Sequence, residues 1–194
     1  MTSPSLPALA ALLMIAGCAG VPRASLQELA KIDFATTDLA ELRVGFALAE
    51  TIRPKPTGVR LDAEARFREG WWSSRTERHS FILEATTDPA APAAEPGATL
   101  HVYRMKDTDR VRFQALRQSL LDHRQRGRGG SLGIGMGARE FCRTGAVPTG
   151  PVPVTTHLRT SETVRYVVLV DRMDLRREPT IASALNTLEQ CPSR

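Results

Sequence analysis

The sequence predicts an α+β domain: a mostly antiparallel sheet of about seven strands with two or three helices packed on one face. Three observations carry that expectation. Apolar and polar residues alternate with period two in several separate segments, one long segment has the period of a helix, and no internal repeat marks a solenoid or propeller. A β-sandwich with peripheral helices is the alternative. At 194 residues, 42% hydrophobic and 24% charged, the chain has the make-up of an ordinary globular domain, which excludes disorder as its main state. No apolar run reaches the roughly 18 residues that cross a bilayer as a helix, which excludes a polytopic membrane protein.

Ala24 to Ile32 has helical spacing at Leu26, Leu29 and Ala30, with Ser25 placed as N-cap. The period then changes to two: Leu42, Val44, Phe46 and Leu48 alternate with Arg43, Gly45 and Ala47, a half-buried strand. Pro54 and Pro56 end it in an extended loop. Val59 to Arg68 repeats the pattern, with Leu61, Ala63, Ala65 and Phe67 opposed to Asp62, Glu64, Arg66 and Arg68. So complete a polar face belongs to a sheet with one side in water. Strands at His79 to Thr86 and Ala98 to Met105 follow, joined by a Pro/Ala-rich segment read as a mobile loop. The clearest helix begins with Asp107, Thr108 and Asp109 as sources of capping oxygens. Phe113, Leu116 and Leu120 share one face, and Arg124, Arg126 and Gly127 close it. Strands at Ser131 to Thr144, Val152 to Thr160 and Val164 to Leu175, then a helix at Thr180 to Gln190, complete the chain. The last strand is apolar on both faces around Tyr166 to Val170, so its middle is expected to be covered on both sides.

The amino terminus has a different character. Residues 6–17 are uncharged and rich in leucine and alanine, a length that suits the apolar region of a signal peptide rather than a spanning helix. A buried apolar helix is the plain alternative. Ile15, Ala16, Gly17 and Cys18 resemble the lipobox of bacterial lipoproteins, in which the bond between Gly17 and Cys18 is cut and the cysteine thiol is lipidated. Met1 to Ser5 depart from that pattern in holding no Lys or Arg. The resemblance implies a signal peptide over 1–17, a lipidated N-terminus, tether and short helix over 18–36, and a single α+β periplasmic domain over 37–194. Several acyl chains, palmitate among them, would anchor the chain stably, since each buried methylene contributes about 0.8 kcal/mol. The residue after the cysteine is Ala19 rather than Asp, which implies the periplasmic side of a Gram-negative outer membrane. The phrases CRTG at 142–145, PVPVTTHLRT at 151–160 and DRMDLR at 171–176 are similar to those of small uncharacterised Gram-negative lipoproteins, and carry no activity with them.

Two cysteines remain once Cys18 is set aside. In an oxidising compartment Cys142 and Cys191 can form a disulfide that staples the last helix to the sheet, worth about 4 kcal/mol on the chain-entropy model; two buried thiols are the alternative. With no CxxC and no histidine near either cysteine in sequence, no metal or redox site is expected there. Gly133, Gly135 and Ala138 satisfy a G-x-G-x-x-A pattern, but a helix precedes and a strand follows, the reverse of a dinucleotide fold. Gly133, Gly135 and Gly137 instead share one face of a strand, and that bare face is expected to receive the preceding helix.

Charge is uneven. Residues 1–100 hold ten basic and twelve acidic side chains, and residues 101–194 hold sixteen and nine. Arg124, Arg126 and Arg128 form a candidate anion or partner patch, suited to the phosphates of phospholipid or lipopolysaccharide; complementing the helix dipole is the competing role. The export signal argues against nucleic acid. Trp71 and Trp72 are candidate interface aromatics: on an extended chain one would face the core and the other a membrane or partner, while both serving the core is the other reading. No GxSxG, HExxH, P-loop or paired-carboxylate motif is present, and no cofactor is expected. His101 and His157 alternate within strands and could share a face that holds a metal or base. Two functions are therefore open: a non-enzymatic envelope lipoprotein that binds a protein, lipid or glycan, or a periplasmic hydrolase or metal-dependent enzyme using those histidines.

Overall fold

The period-two segments become strands. The computed structural model describes residues 21–192, and its elements run in chain order α1 (Arg23–Leu29), β1 (Arg43–Ala49), β2 (Ile52–Pro54), β3 (Val59–Arg68), β4 (Ser74–Thr86), β5 (Ala98–Met105), α2 (Asp107–Gln125), β6 (Gly130–Ala138), β7 (Phe141–Arg143), β8 (Pro153–Arg159), β9 (Val167–Asp174), a 3₁₀ turn at Leu175–Arg177, and α3 (Pro179–Leu185). Seven strands form one sheet in the order β6-β3-β4-β5-β1-β8-β9, antiparallel throughout. This is the α+β arrangement that the alternation implies. Only Leu83 to Thr86 of β4 pair with β5, so its stretch from Ser74 to Ile82 pairs with β3 alone, and β6, β3 and that stretch form a three-stranded arm.

The sheet buries one face against the helices. Val44, Phe46, Leu61, Phe67, Phe81, Leu83 and Met105 meet Phe113, Leu116 and Leu120 of α2 in one core, which Ile52, Leu175 and Leu185 extend. The rings of Phe81 and Phe113 lie 5.5 Å apart. Leu120 crosses directly over Gly130, where a Cβ would stand 2.6 Å from the leucine Cδ1 and 2.9 Å from the Arg66 carbonyl, so only glycine admits this approach. Helix α2 stops at Gly127, whose φ of 71° turns the chain back into β6.

Several elements differ from expectation for identifiable reasons. Ile52–Pro54 is a strand, not a loop: it pairs with β7 in a two-stranded ladder with Pro54 at its end, where the missing N–H costs least. Ser131 to Thr144 is two strands. After β6 the chain swings away, the Arg139 N–H donating to the Gly58 carbonyl, and continues as β7 beside β2. The last strand begins at Val167, because Val164 sits at φ 58° and Arg165 and Tyr166 complete the turn; β9 is an edge strand, buried at Val167 and half-buried from Val168 to Val170. Ser25 is buried inside α1, whose N-cap is Pro22. At α2 the N-cap is Lys106 with no side-chain cap; Asp107 and Asp109 lie in the first turn and pair with Arg110 and Arg112 instead.

Cys142 and Cys191 are bonded, their Cα atoms 4.9 Å apart. The staple holds the chain after α3 to the small β2-β7 ladder rather than to the large sheet. Around it the Arg143 N–H donates to the Glu189 carbonyl, and the Cys191 N–H to the Arg143 carbonyl.

Candidate functional site

Residues on β3 and β4 converge at one end of the arm. The register runs outward from Phe67 opposite Arg75 to Arg68 opposite Ser74, and the Glu69 N–H donates to the Ser73 carbonyl, closing a hairpin whose tip is Gly70 to Trp72. Both tryptophans stand clear of the protein, Trp71 at 95% and Trp72 at 99% exposure. Neither serves the core. The extended geometry that would send one indole inward is absent because the pair falls in the turn itself.

The arginine cluster belongs to the same end. The Arg68 N–H donates to the Gly129 carbonyl at 2.8 Å, which lays the segment Gly127 to Gly130 along the end of β3 and brings Arg124, Arg126 and Arg128 beside the hairpin. Arg124, also exposed, folds over the start of β6, its Nε and Nη2 donating to the Gly130 carbonyl. Arg126 and Arg128 are exposed, and neither forms a salt bridge among the described residues. Arg75 is held differently: it lies over the Phe67 ring and pairs with Glu69 and Glu77.

Beneath the tip is a buried fastening that sequence reading missed. His123, 4% exposed on α2, donates from Nε2 to the Arg68 carbonyl at 2.9 Å and meets the Phe67 ring edge-on at 5.3 Å. A signal was present: His123 continues the buried spacing Phe113, Leu116, Leu120 on the helix. Its partner, 55 residues away, could not be read from that spacing.

The remaining expectations resolve as follows. Gly17 and Cys18 lie outside the described residues. Gly133, Gly135 and Gly137 do not receive the helix: they pair opposite Glu64, Asp62 and Arg60 on the outer face, while Leu132, Ile134 and Met136 lie with Ala65, Ala63 and Leu61 on the helix side. Gly133 and Gly135 instead floor an open trough of about 570 Å³ walled by Asp62, Arg78, Ser80 and Arg139. His101 and His157 fall on opposite faces, since His101 pairs with Phe46 and His157 with the residue before it, Gly45. They cannot act on one metal or substrate.

His157 lines a cavity of about 220 Å³ on the outer face, together with Leu100, Val168 and Ala93. Burial lowers its pKa below the ordinary 6.5, partly opposed by Asp171. The Pro/Ala-rich segment, expected to be a mobile loop, covers this region and is tied down. The Tyr166 hydroxyl donates to Asp88 at 2.7 Å, the Arg159 guanidinium lies 3.5 Å from the same oxygen, and Arg172 pairs with Glu95. Burial by itself would raise the Asp88 pKa, but the Tyr166 hydroxyl, the Ala90 N–H and two arginines outweigh it and hold the carboxyl below its ordinary value. Burial, then Asp88, pushes the Tyr166 phenol up.

Comparison of the chain with protein-family models, with curated proteins and with solved structures finds no match.

Proposed function

We propose that the chain is a membrane-anchored periplasmic lipoprotein, held to the outer membrane through an acylated Cys18, and that it acts as a non-enzymatic binding or structural module of the envelope. The observation that carries this reading is the hairpin end, where two solvated indoles stand beside Arg126 and Arg128, which have no salt-bridge partner among the described residues. Exposed aromatic surface ringed by charge is the signature of a contact surface rather than of a reaction centre. The lipobox-like Ile15 to Cys18 supplies the location. Mass spectrometry of the mature amino terminus tests the anchor: a chain beginning at Cys18 and carrying acyl groups is expected, and an unprocessed Met1 or unmodified Cys18 removes it.

A further inference from the structure

We propose that the Trp71–Trp72 hairpin end is a second membrane contact, which docks on an anionic phospholipid bilayer. The choice of a bilayer as occupant rests on the lipoprotein reading; the docking surface itself rests on geometry. The tip is convex. An occupant must therefore receive two protruding indoles, which a fluid interface does without a preformed groove. Indole suits that boundary, its ring resting among the upper acyl chains and its N–H among the headgroups.

Charge selects an anionic surface. Residues 64–78 and 122–130, which form this end, hold seven arginines against four carboxylates. Three of the carboxylates are spent locally, Glu64 on Arg66 and Arg78, and Glu69 and Glu77 on Arg75, and the fourth, Asp122, accepts from the Gln118 amide on the helix. Arg68, Arg126 and Arg128 are left exposed and without a salt-bridge partner among the described residues, free to make forked hydrogen bonds to lipid phosphates.

The end is also built to hold its shape. Phe67 is fully buried, its ring lies under Arg75, and His123 fastens the adjoining Arg68 carbonyl to α2. The backbone beneath the tip therefore needs little further ordering on docking, and the ordering cost falls on the indole and arginine side chains. Three arginines near an anionic surface contribute about a factor of five each, which alone gives weak binding. A tether at Cys18 would convert that weak contact into an intramolecular one at high effective concentration.

Trp71 and Trp72 are the two tryptophans of the chain, so tryptophan emission reports this end and nothing else. The full-length lipidated chain is added to vesicles of phosphatidylglycerol and phosphatidylethanolamine, and flotation is read alongside fluorescence. The expected result is a blue-shifted emission, quenching by brominated acyl chains and protection from iodide. R126Q/R128Q, which leaves both fluorophores in place, is expected to weaken docking about 30-fold at low salt, from the same factor of about five per arginine. Unshifted, iodide-accessible emission from a chain that floats with the vesicles overturns the docking proposal and leaves the anchor standing. A shifted emission from a chain whose Cys18 proves unmodified does the reverse. An equal shift on zwitterionic vesicles overturns the role given to the arginines. A photocrosslinker at position 72 that captures one defined protein and no lipid overturns the bilayer as occupant.

Discussion

The two halves of the sheet treat their outer faces in opposite ways. Across β6, β3 and β4 that face carries Asp62, Glu64, Arg78 and bare glycines, and it lies open to water. Across β5, β1 and β8 it carries Gly45, Ala47, Leu100, Val102 and His157, and residues 87–97 lie over it. Both halves obey the same alternation on the helix side. What differs is the side chains between the core positions: charged ones keep water, and small apolar ones need a cover. A cover made of proline and alanine has little apolar area with which to hold itself down, so it is held by a polar anchor, Asp88 beneath Tyr166 and Arg159.

Removing that anchor should have the largest effect. Asp88→Ala leaves the Tyr166 hydroxyl and the Arg159 guanidinium without their shared acceptor, a loss of about 1–3 kcal/mol for a partner removed from a buried hydrogen bond. Urea unfolding measures it, and a loss near zero would mean that the cover holds without its anchor. The pH dependence has a fixed sign. A carboxyl held below its ordinary 3.8 in the folded state contributes stability that is present above that value and fades as pH falls through the lower folded value. Asp88→Asn should therefore flatten the acid limb of the stability profile.

His157, under the same cover, gives a smaller effect in a different window. Its folded pKa is lowered by burial, so below 6.5 the unfolded chain takes up a proton that the folded chain refuses. Stability attributable to His157 is complete above 6.5 and declines as pH falls toward the lower folded value. The expected outcome is a shallow loss between about pH 7 and 5 that His157→Gln abolishes, read from urea midpoints across that range. An unchanged slope in the variant would mean that water reaches the imidazole, and that the cover is looser than its contacts imply.

How much of this the sequence shows depends on the range of the interaction. Val59 to Arg68 is legible to the residue, because alternation is local and each side chain states its own face. The long helix is legible for the same reason. The strand Ile52–Pro54 is not, because proline reads as a break and only the pairing with Phe141–Arg143 makes it a strand. The glycines of β6 show the limit of stereochemical reasoning: a bare face permits close packing without requiring it, and the leucine, isoleucine and methionine on the other face won the helix. The Asp88 anchor joins residues 78 apart and leaves no local trace. At the hairpin end the two halves of the surface, tryptophans and arginines, are each visible in the sequence. Their meeting depends on the Arg68 to Gly129 hydrogen bond, a product of the fold.

The open half gives the smallest effect and the sharpest contrast. Glu64 accepts from Arg78 at 2.9 Å and from Arg66 at 3.2 Å, and chiefly through Arg78 its pKa is lowered below the ordinary carboxylate value. On the logic of Asp88 it would be a second anchor. It has no cover to hold, however, and its side chain is 37% exposed, so water and salt screen both pairs and solvate the arginines when the carboxylate is gone. Glu64→Gln should leave the urea midpoint at the wild-type value, while NMR titration of the native chain still finds the Glu64 carboxyl ionising at lower pH than a free glutamate. The two readings together separate a shifted pKa from a stabilising one. A midpoint that falls as far as in Asp88→Ala would show that the charges of the open face form a layer of their own, and the contrast between the two halves would then lie in chemistry rather than in cover.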